Sequence, residues 1–312
     1  ESSVAPFYMD LIRYVATIHL IKNEVGFNFS DSEIYNMCKY FLETYKSSLS
    51  ASSVEFTESN LSGFVKSIML KVKNDNSVTK LLNKWTKISS GKRIFNLSNS
   101  DLQACSITEI SAYWQSYKNS ISSFVASQNS NYFKVKDVAI RLNSGLGSLG
   151  VKKYYVLIEG KTSSNSDDII LEVKEERTPS MYFNPAISQI SFSYQADRVK
   201  LAAKSLLKNL ENHSGVMIAS SKSYFVRMIS AYKYGFEAKD FKSKSDLENF
   251  VKYCAQAIAF AHTRAASESH ANSGFASATI KAIDVWKNFK DNLINLSQEY
   301  AKQVNADYSA FK

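Results

Sequence analysis

The stretch that decides the fold is residues 138–174, VAIRLNSGLGSLGVKKYYVLIEGKTSSNSDDIILEVK. It reads as a strand, a glycine turn, a second strand, a polar hairpin and a third strand carrying Lys174. The turn, Gly145-Leu146-Gly147-Ser148-Leu149-Gly150, fits G-x-G-x-x-G and holds three of the chain's ten glycines. Glycine lacks a Cβ and tolerates positive φ, so such a turn can lay backbone N–H groups against a phosphate. The pattern alone is a weak signal, and its context decides. In a dinucleotide-binding unit a helix follows the glycines. Here Tyr154, Tyr155, Val156, Leu157 and Ile158 follow, an aromatic and β-branched run without helical spacing, so a second strand is predicted. After a polar turn at residues 161–168, Ile169, Ile170, Leu171 and Val173 rebuild a strand that contains Lys174.

Outward from this unit, residues 179–185 are bounded by prolines and form a break. Residues 195–210 predict a helix with Val199, Ala203, Leu206 and Leu210 on one side. Residues 216–219 and 224–229 read as two short strands joined through serines. Three strands, one helix and two strands make up the middle of the chain. That is the element order of a protein-kinase-like small lobe, where a glycine loop covers the phosphates and a strand lysine pairs with them. The plain alternative is a glycine-rich hairpin in an unrelated sheet, with Lys174 merely solvated.

The flanks predict helices. Phe7, Leu11, Ile12, Val15, Ile18 and Ile21 form an apolar face behind Pro6, a residue tolerated in a first turn. His19 lies among apolar residues and reads as a core histidine. Ser30-x-x-Glu33 fits a capping box, followed by the stripe Ile34, Met37, Phe41 and Tyr45. Residues 59–127 read as mostly helical, with one stripe at Leu61, Phe64, Ile68 and Val72 and another at Ile110, Tyr113, Trp114 and Tyr117. The lysine-rich residues 80–92 read as a solvated helix face. A helix over 244–264 presents Leu247, Val251, Cys254, Ile258 and Ala261. The last helix, 276–311, presents Ile280, Val285, Phe289, Leu293, Leu296 and Tyr300. The serine-rich residues 119–130 are the best boundary between the first helical part and the sheet.

Composition bounds the rest. With 312 residues, 45% of them hydrophobic, the chain can bury a sizeable core, in two domains or one two-lobed domain. A net charge of +9 suits an anionic partner without choosing among nucleotide, nucleic acid and acidic lipid. The lysines are scattered rather than striped, which argues against a specific nucleic-acid surface. Cys38, Cys105 and Cys254 are far apart, which argues against a zinc site or a disulfide framework and suits a reducing cytoplasm. No apolar run approaches the roughly 20 residues of a membrane span. The chain opens at Glu1 already close to a helical pattern, so an N-terminally trimmed chain is expected.

Several short stretches together resemble one family, the bacterial domain-of-unknown-function family 2252. They are residues 138–150 with the glycine turn, Tyr154-Tyr155-Val156-Leu157-Ile158-Glu159-Gly160, Leu171-Glu172-Val173-Lys174-Glu175, Ser223-Tyr224-Phe225-Val226-Arg227, Ala261-His262-Thr263-Arg264, and Ala5-Pro6-Phe7-Tyr8-Met9-Asp10-Leu11. Their order covers essentially the whole chain. The resemblance implies an α+β, protein-kinase-like two-lobed fold, circularly permuted and similar to the aminoglycoside phosphotransferases. It would have a small, mostly antiparallel five-stranded sheet plus one helix, and a large helical lobe. The expected division is 1–130, helical part of the large lobe; 131–230, nucleotide-binding small lobe; 231–312, C-terminal helices. The catalytic loop and metal-binding aspartate would precede Glu1, so no catalytic or metal residue is assigned.

The expected function is that of a kinase-like ATP-binding protein, a phosphotransferase to a small-molecule or protein hydroxyl, with ATP and Mg2+ as cofactors by resemblance. Gly145, Gly147, Ser148 and Gly150 would cradle the phosphates and Lys174 would pair with their oxygens. Arg227 is a second basic candidate, although a strand arginine is more often an ion-pair partner. His262 and Arg264 would order the cleft or simply stabilise a helix end. Kinases pair the strand lysine with a helix glutamate. The residues on offer after the sheet, Gln195, Asp197 and Glu211, are not well placed for that. The alternative is a kinase-like nucleotide-binding or interaction module without turnover. A nucleic-acid binder and a dinucleotide oxidoreductase rank below both. Nucleotide and an unidentified phosphate acceptor are the expected partners, with no membrane, in the cytoplasm.

Overall fold

A computed structural model of the chain describes residues 2–51, 55–145, 149–267, 274–286 and 288–312. Internal contacts divide the chain into two compact units. One comprises Lys73–Lys204 and Asn209–Lys233 with the start of the chain; the other comprises Ala5–Val72, Ser205–Lys208 and Tyr234–Lys312.

The second of these is built from helices. Helix α1 (Tyr8–Ile21) buries Leu11, Val15, Ala16 and Ile18. Helix α2 (Asp31–Leu49) opens on the predicted capping box: the Glu33 N–H donates to Ser30 Oγ at 3.2 Å and the Ser30 N–H donates to Glu33 Oε2 at 2.8 Å. These bonds satisfy N–H groups that a helix start leaves without partners. The stripe Ile34, Met37, Phe41 and Tyr45 is buried, as its spacing requires. In helix α3 (Gly63–Asp75) no residue is buried, so Phe64, Ile68 and Val72 pack only partly.

The sheet unit begins with helix α4 (Val78–Trp85). Strands β1 (Thr86–Ser89) and β2 (Lys92–Phe95) then form an antiparallel hairpin. Its turn is Ser90-Gly91, with φ of 48° and 75°. Two left-handed residues match the twist of the flanking strands. This hairpin interrupts the span 59–127, expected to be mostly helical, and it corrects the helix face expected at 80–92 beyond Trp85. Strand β3 (Leu102–Ala104) and the short helices α5 (Thr108–Ser111), α6 (Trp114–Ser120) and α7 (Ser122–Ala126) follow. Next come β4 (Val135–Arg141), β5 (Lys153–Ile158), β6 (Ile169–Glu175), helix α8 (Gln195–Leu206), β7 (Gly215–Ala219) and β8 (Lys222–Met228).

The sheet order is β3-β4-β5-β6-β8-β7, antiparallel at every pairing. It has six strands rather than the expected five, because β3 pairs along the outer edge of β4. Three residues are too few to show strand periodicity in a sequence. Both faces are covered. Leu171 and Val173 of β6 join Val156, Val226, Trp114 and Tyr117 in a core under α5–α7. Ile170 joins Ala139, Leu157, Leu82, Trp85 and Phe95 on the other face, under α4 and the β1–β2 hairpin. Fully burying each valine, leucine, isoleucine or phenylalanine among these contributes about 1.5–3 kcal/mol. Further along β6, the Ile170 face carries Glu172 and then Lys174, by strand alternation.

Helix α8 stops at Leu206, short of the predicted 210, and buries Ala196 and Arg198 rather than Val199 and Ala203. Returning to the helical unit, α9 (Lys244–Ser267) runs beyond the predicted end at Arg264. The expected single last helix is two, α10 (Phe275–Val285) and α11 (Phe289–Phe311), with the left-handed Asn288 (φ 58°) at the start of α11. The inner face of α11 is Leu293, Ile294, Ser297 and Ala301; Val285, Leu296 and Tyr300 are exposed.

Candidate functional site

The glycine turn joins β4 to β5, so it runs into a strand and not into a helix. Gly145 has φ +89° and Gly150 φ +68°. A Cβ added at either would meet nothing within 4 Å. Backbone conformation, not crowding, therefore calls for glycine at both positions. Gly147 and Ser148 lie outside the described residues. The exit of the turn is fastened to the end of β6: an Arg177 Nη donates to the Gly150 carbonyl, and the Glu175 N–H donates to the Lys152 carbonyl at 2.9 Å.

Register builds the charged cluster beside this turn. Lys153, the first residue of β5, pairs directly with Lys174 of β6, and Glu172 pairs directly with Arg227 of β8. Directly opposed side chains stand close enough to interact, so two like charges face each other where the turn ends. Glu172 lies between two cations, with Lys153 Nζ at 3.6 Å and Arg227 Nη2 at 2.8 Å. Lys174 Nζ is 3.6 Å from Glu176 Oε1. The pairs at 3.6 Å are ion pairs beyond hydrogen-bond length, which leaves donor capacity on both ammonium groups. The Lys174 and Arg227 side chains are 29% and 54% exposed, while those of Lys153, Glu172 and Glu176 are nearly buried. Burial pushes the Glu176 carboxyl above its ordinary range, against the pull of Lys174.

The structure thus brings Lys174 and Arg227 onto neighbouring strands and adds Lys153, which sequence reasoning missed. Its only signal was Lys152-Lys153, separated from the turn's last glycine by Val151. Arg227 also bonds Glu172 through Nε at 3.1 Å, so it is an ion-pair partner and an exposed cation together. Glu211 belongs to a different cluster. It accepts from the backbone N–H of His213 at 2.7 Å and of Met228 at 2.8 Å, while His213 Nε2 meets the Tyr132 hydroxyl at 3.0 Å. Burial alone would raise the Glu211 carboxyl; the bonds from His213 and Met228 outweigh it and hold the group below its ordinary range. Gln195 accepts from Arg198 Nε at 2.8 Å. Lys174 takes its carboxylate from Glu176 in its own segment.

In the helical unit, two of the stretches quoted above meet. His262 Nε2 is 3.2 Å from Asp10 Oδ2, and His262 Nδ1 is 3.0 Å from the hydroxyl of Tyr45. A neutral imidazole satisfies both by donating to Asp10 and accepting from Tyr45. The bond from His262 holds the Asp10 carboxyl below its ordinary range. Arg264 Nε donates to the Leu206 carbonyl at 2.9 Å. Among the described residues no group of three His, Cys, Asp or Glu side chains could hold a metal ion, and no helix is long and apolar enough to cross a membrane.

Fold and site together define an α+β protein whose antiparallel sheet carries a cationic cluster at the end of the glycine turn. The chain belongs to the family described as "Uncharacterized protein conserved in bacteria (DUF2252)", whose model matches residues 1–312. No curated protein and no solved structure matches it.

Proposed function

We propose that the cluster of Lys153, Lys174 and Arg227 receives the phosphates of ATP beside the glycine turn, and that the chain is a kinase-like phosphotransferase acting on a small-molecule or protein hydroxyl. The observation that carries this reading is the register Lys153↔Lys174, which sets the strand lysine against the exit of the turn. The order β4-β5-β6-β8-β7, with α8 crossing between the third and fourth strands in sequence, supports it as the topology such a small lobe requires.

The residues fit a polyphosphate. Three cations against two carboxylates leave a surplus of one positive charge, and the turn has free space around both described glycines. They do not offer a metal a cage of their own among the described residues, so Mg2+ would be held chiefly by phosphate oxygens and water. Bound MgATP would supply the transferable phosphoryl group. The chain's own contribution is positional: Lys174 and Lys153 would neutralise and orient phosphate oxygens from two strands, and Arg177 would fix the turn through Gly150.

A second reading, nucleotide binding without transfer, has its own support. Glu211 and Gln195 are engaged elsewhere, so neither pairs with Lys174 as a kinase helix glutamate would. The test is a thermal-shift titration with MgATP, followed by an assay for ADP release with hydroxyl acceptors. Stabilisation with turnover supports the phosphotransferase; stabilisation without turnover supports the binding module. No saturable stabilisation contradicts both.

A further inference from the structure

The face of the sheet that packs under α5–α7 holds a cleft of about 450 Å³. Tyr113, Tyr154 and Tyr224 line it, with Glu109 of α5 and Met217 of β7. The rings of Tyr154 and Tyr224 lie on adjoining parts of the wall, centroids 6.1 Å apart and planes inclined by 57°. Tyr154 donates its hydroxyl to Glu109 Oε2 at 3.3 Å, and the Tyr113 hydroxyl is 3.4 Å from Ser220 Oγ. Glu109 is itself exposed. Lys222, the one cation of the lining, is held by Glu175 at 3.1 Å.

We propose that this cleft binds a small organic cation, its ammonium group seated among the faces of the three tyrosines and neutralised by Glu109. Aromatic faces carry negative charge density, and each favours a cation by about 0.5–2 kcal/mol according to how dry the contact is. A carboxylate at the rim adds a charge-assisted contact and steers the ligand. Burial raises the Tyr224 hydroxyl first, and the Glu175 and Glu109 carboxylates raise it further. Burial raises Tyr154 too, with Glu109 adding to it, and carboxylates near the cleft are the sign of charge that a cation favours. The volume lies in the range of small-molecule sites, which run from about 300 to 1,000 Å³. The site shares no lining residue with the cationic cluster, so neither proposal depends on the other.

Choline is the probe, and its neutral carbon isostere 3,3-dimethyl-1-butanol is the control. Both are titrated into the full chain by calorimetry or by NMR of tyrosine resonances. Choline should bind saturably, and the isostere at least about tenfold more weakly, a gap of about 1.4 kcal/mol. Glu109→Gln, on an exposed side chain, should weaken choline by about tenfold at an unchanged unfolding midpoint. Tyr113→Leu, which removes one ring while keeping bulk, should weaken it as well. Absence of saturable choline binding overturns the proposal. So does equal affinity for the isostere, which marks an ordinary apolar pocket, and so does binding indifferent to both substitutions.

Discussion

Two of the charged clusters in the sheet unit are built to opposite plans. One joins the polar hairpin before β6 to the β1–β2 hairpin. Lys136 Nζ contacts both oxygens of Asp168 at 2.8 Å and lies 3.5 Å from Glu159, with Arg93 Nε 3.7 Å from Asp168. Two cations meet two carboxylates, and the Asp168 side chain is 0% exposed. The other cluster, beside the glycine turn, has three cations for two carboxylates and exposes two of them, Lys174 and Arg227, while Lys153 is nearly buried. A balanced, buried cluster has nothing left over for a ligand; its worth is structural. An unbalanced, open one has charge to give, and an anion is what it lacks.

The largest expected effect belongs to the closed cluster. Lys136→Met strands Asp168 without its nearest cation and should cost about 3–5 kcal/mol in urea unfolding. A loss well under 1 kcal/mol would show that the cluster is not structural. Next is Glu172→Gln in the open cluster. Removing this carboxylate frees Lys153 and Arg227, so MgATP affinity should rise severalfold, a gain of about 1 kcal/mol at near-surface dielectric and ordinary salt. A fall in affinity would mean that Glu172 positions the cations rather than competing with the ligand.

Smaller still is a pH effect at Glu176. Its folded carboxyl titrates above the ordinary value of 4.5 because it is buried. The native state therefore takes up a proton at higher pH than the unfolded chain. The stability linked to that proton is fully present below the ordinary value and is lost as pH rises through the folded value. Glu176→Gln should accordingly be more stable than wild type at neutral pH, with the gain shrinking as pH falls through the carboxylate range. A difference that stays constant with pH would contradict the assignment.

Local pattern made much of this legible. The run from Tyr154 to Ile158 forms β5, Ser30 and Glu33 close their box, and the turn's glycines stand between strands. What failed depends on pairing. Strand β3 exists because Arg141 and its neighbours offer an edge, and nothing in Leu102–Ala104 announces it. Lys153 joins the site only through its register with Lys174, a relation between strands that spacing along one chain does not encode. The hairpin at Ser90-Gly91 did carry a signal, a serine–glycine pair between Ile88 and Ile94, but the surrounding lysines suit a solvated helix equally well. Asp10 and His262 were each visible in a quoted stretch; their contact across 252 positions was not.

The most direct test of the central claim compares MgATP binding by wild type and Lys174→Met at equilibrium. The substitution leaves the nearly buried Glu176 without this cation, so it should lower the unfolding midpoint modestly, and the two proteins are compared at a temperature where both are folded. Saturable binding by wild type, weakened by about tenfold or more in the variant, is the predicted result. Binding of equal strength in the two proteins, or none in either, would contradict it.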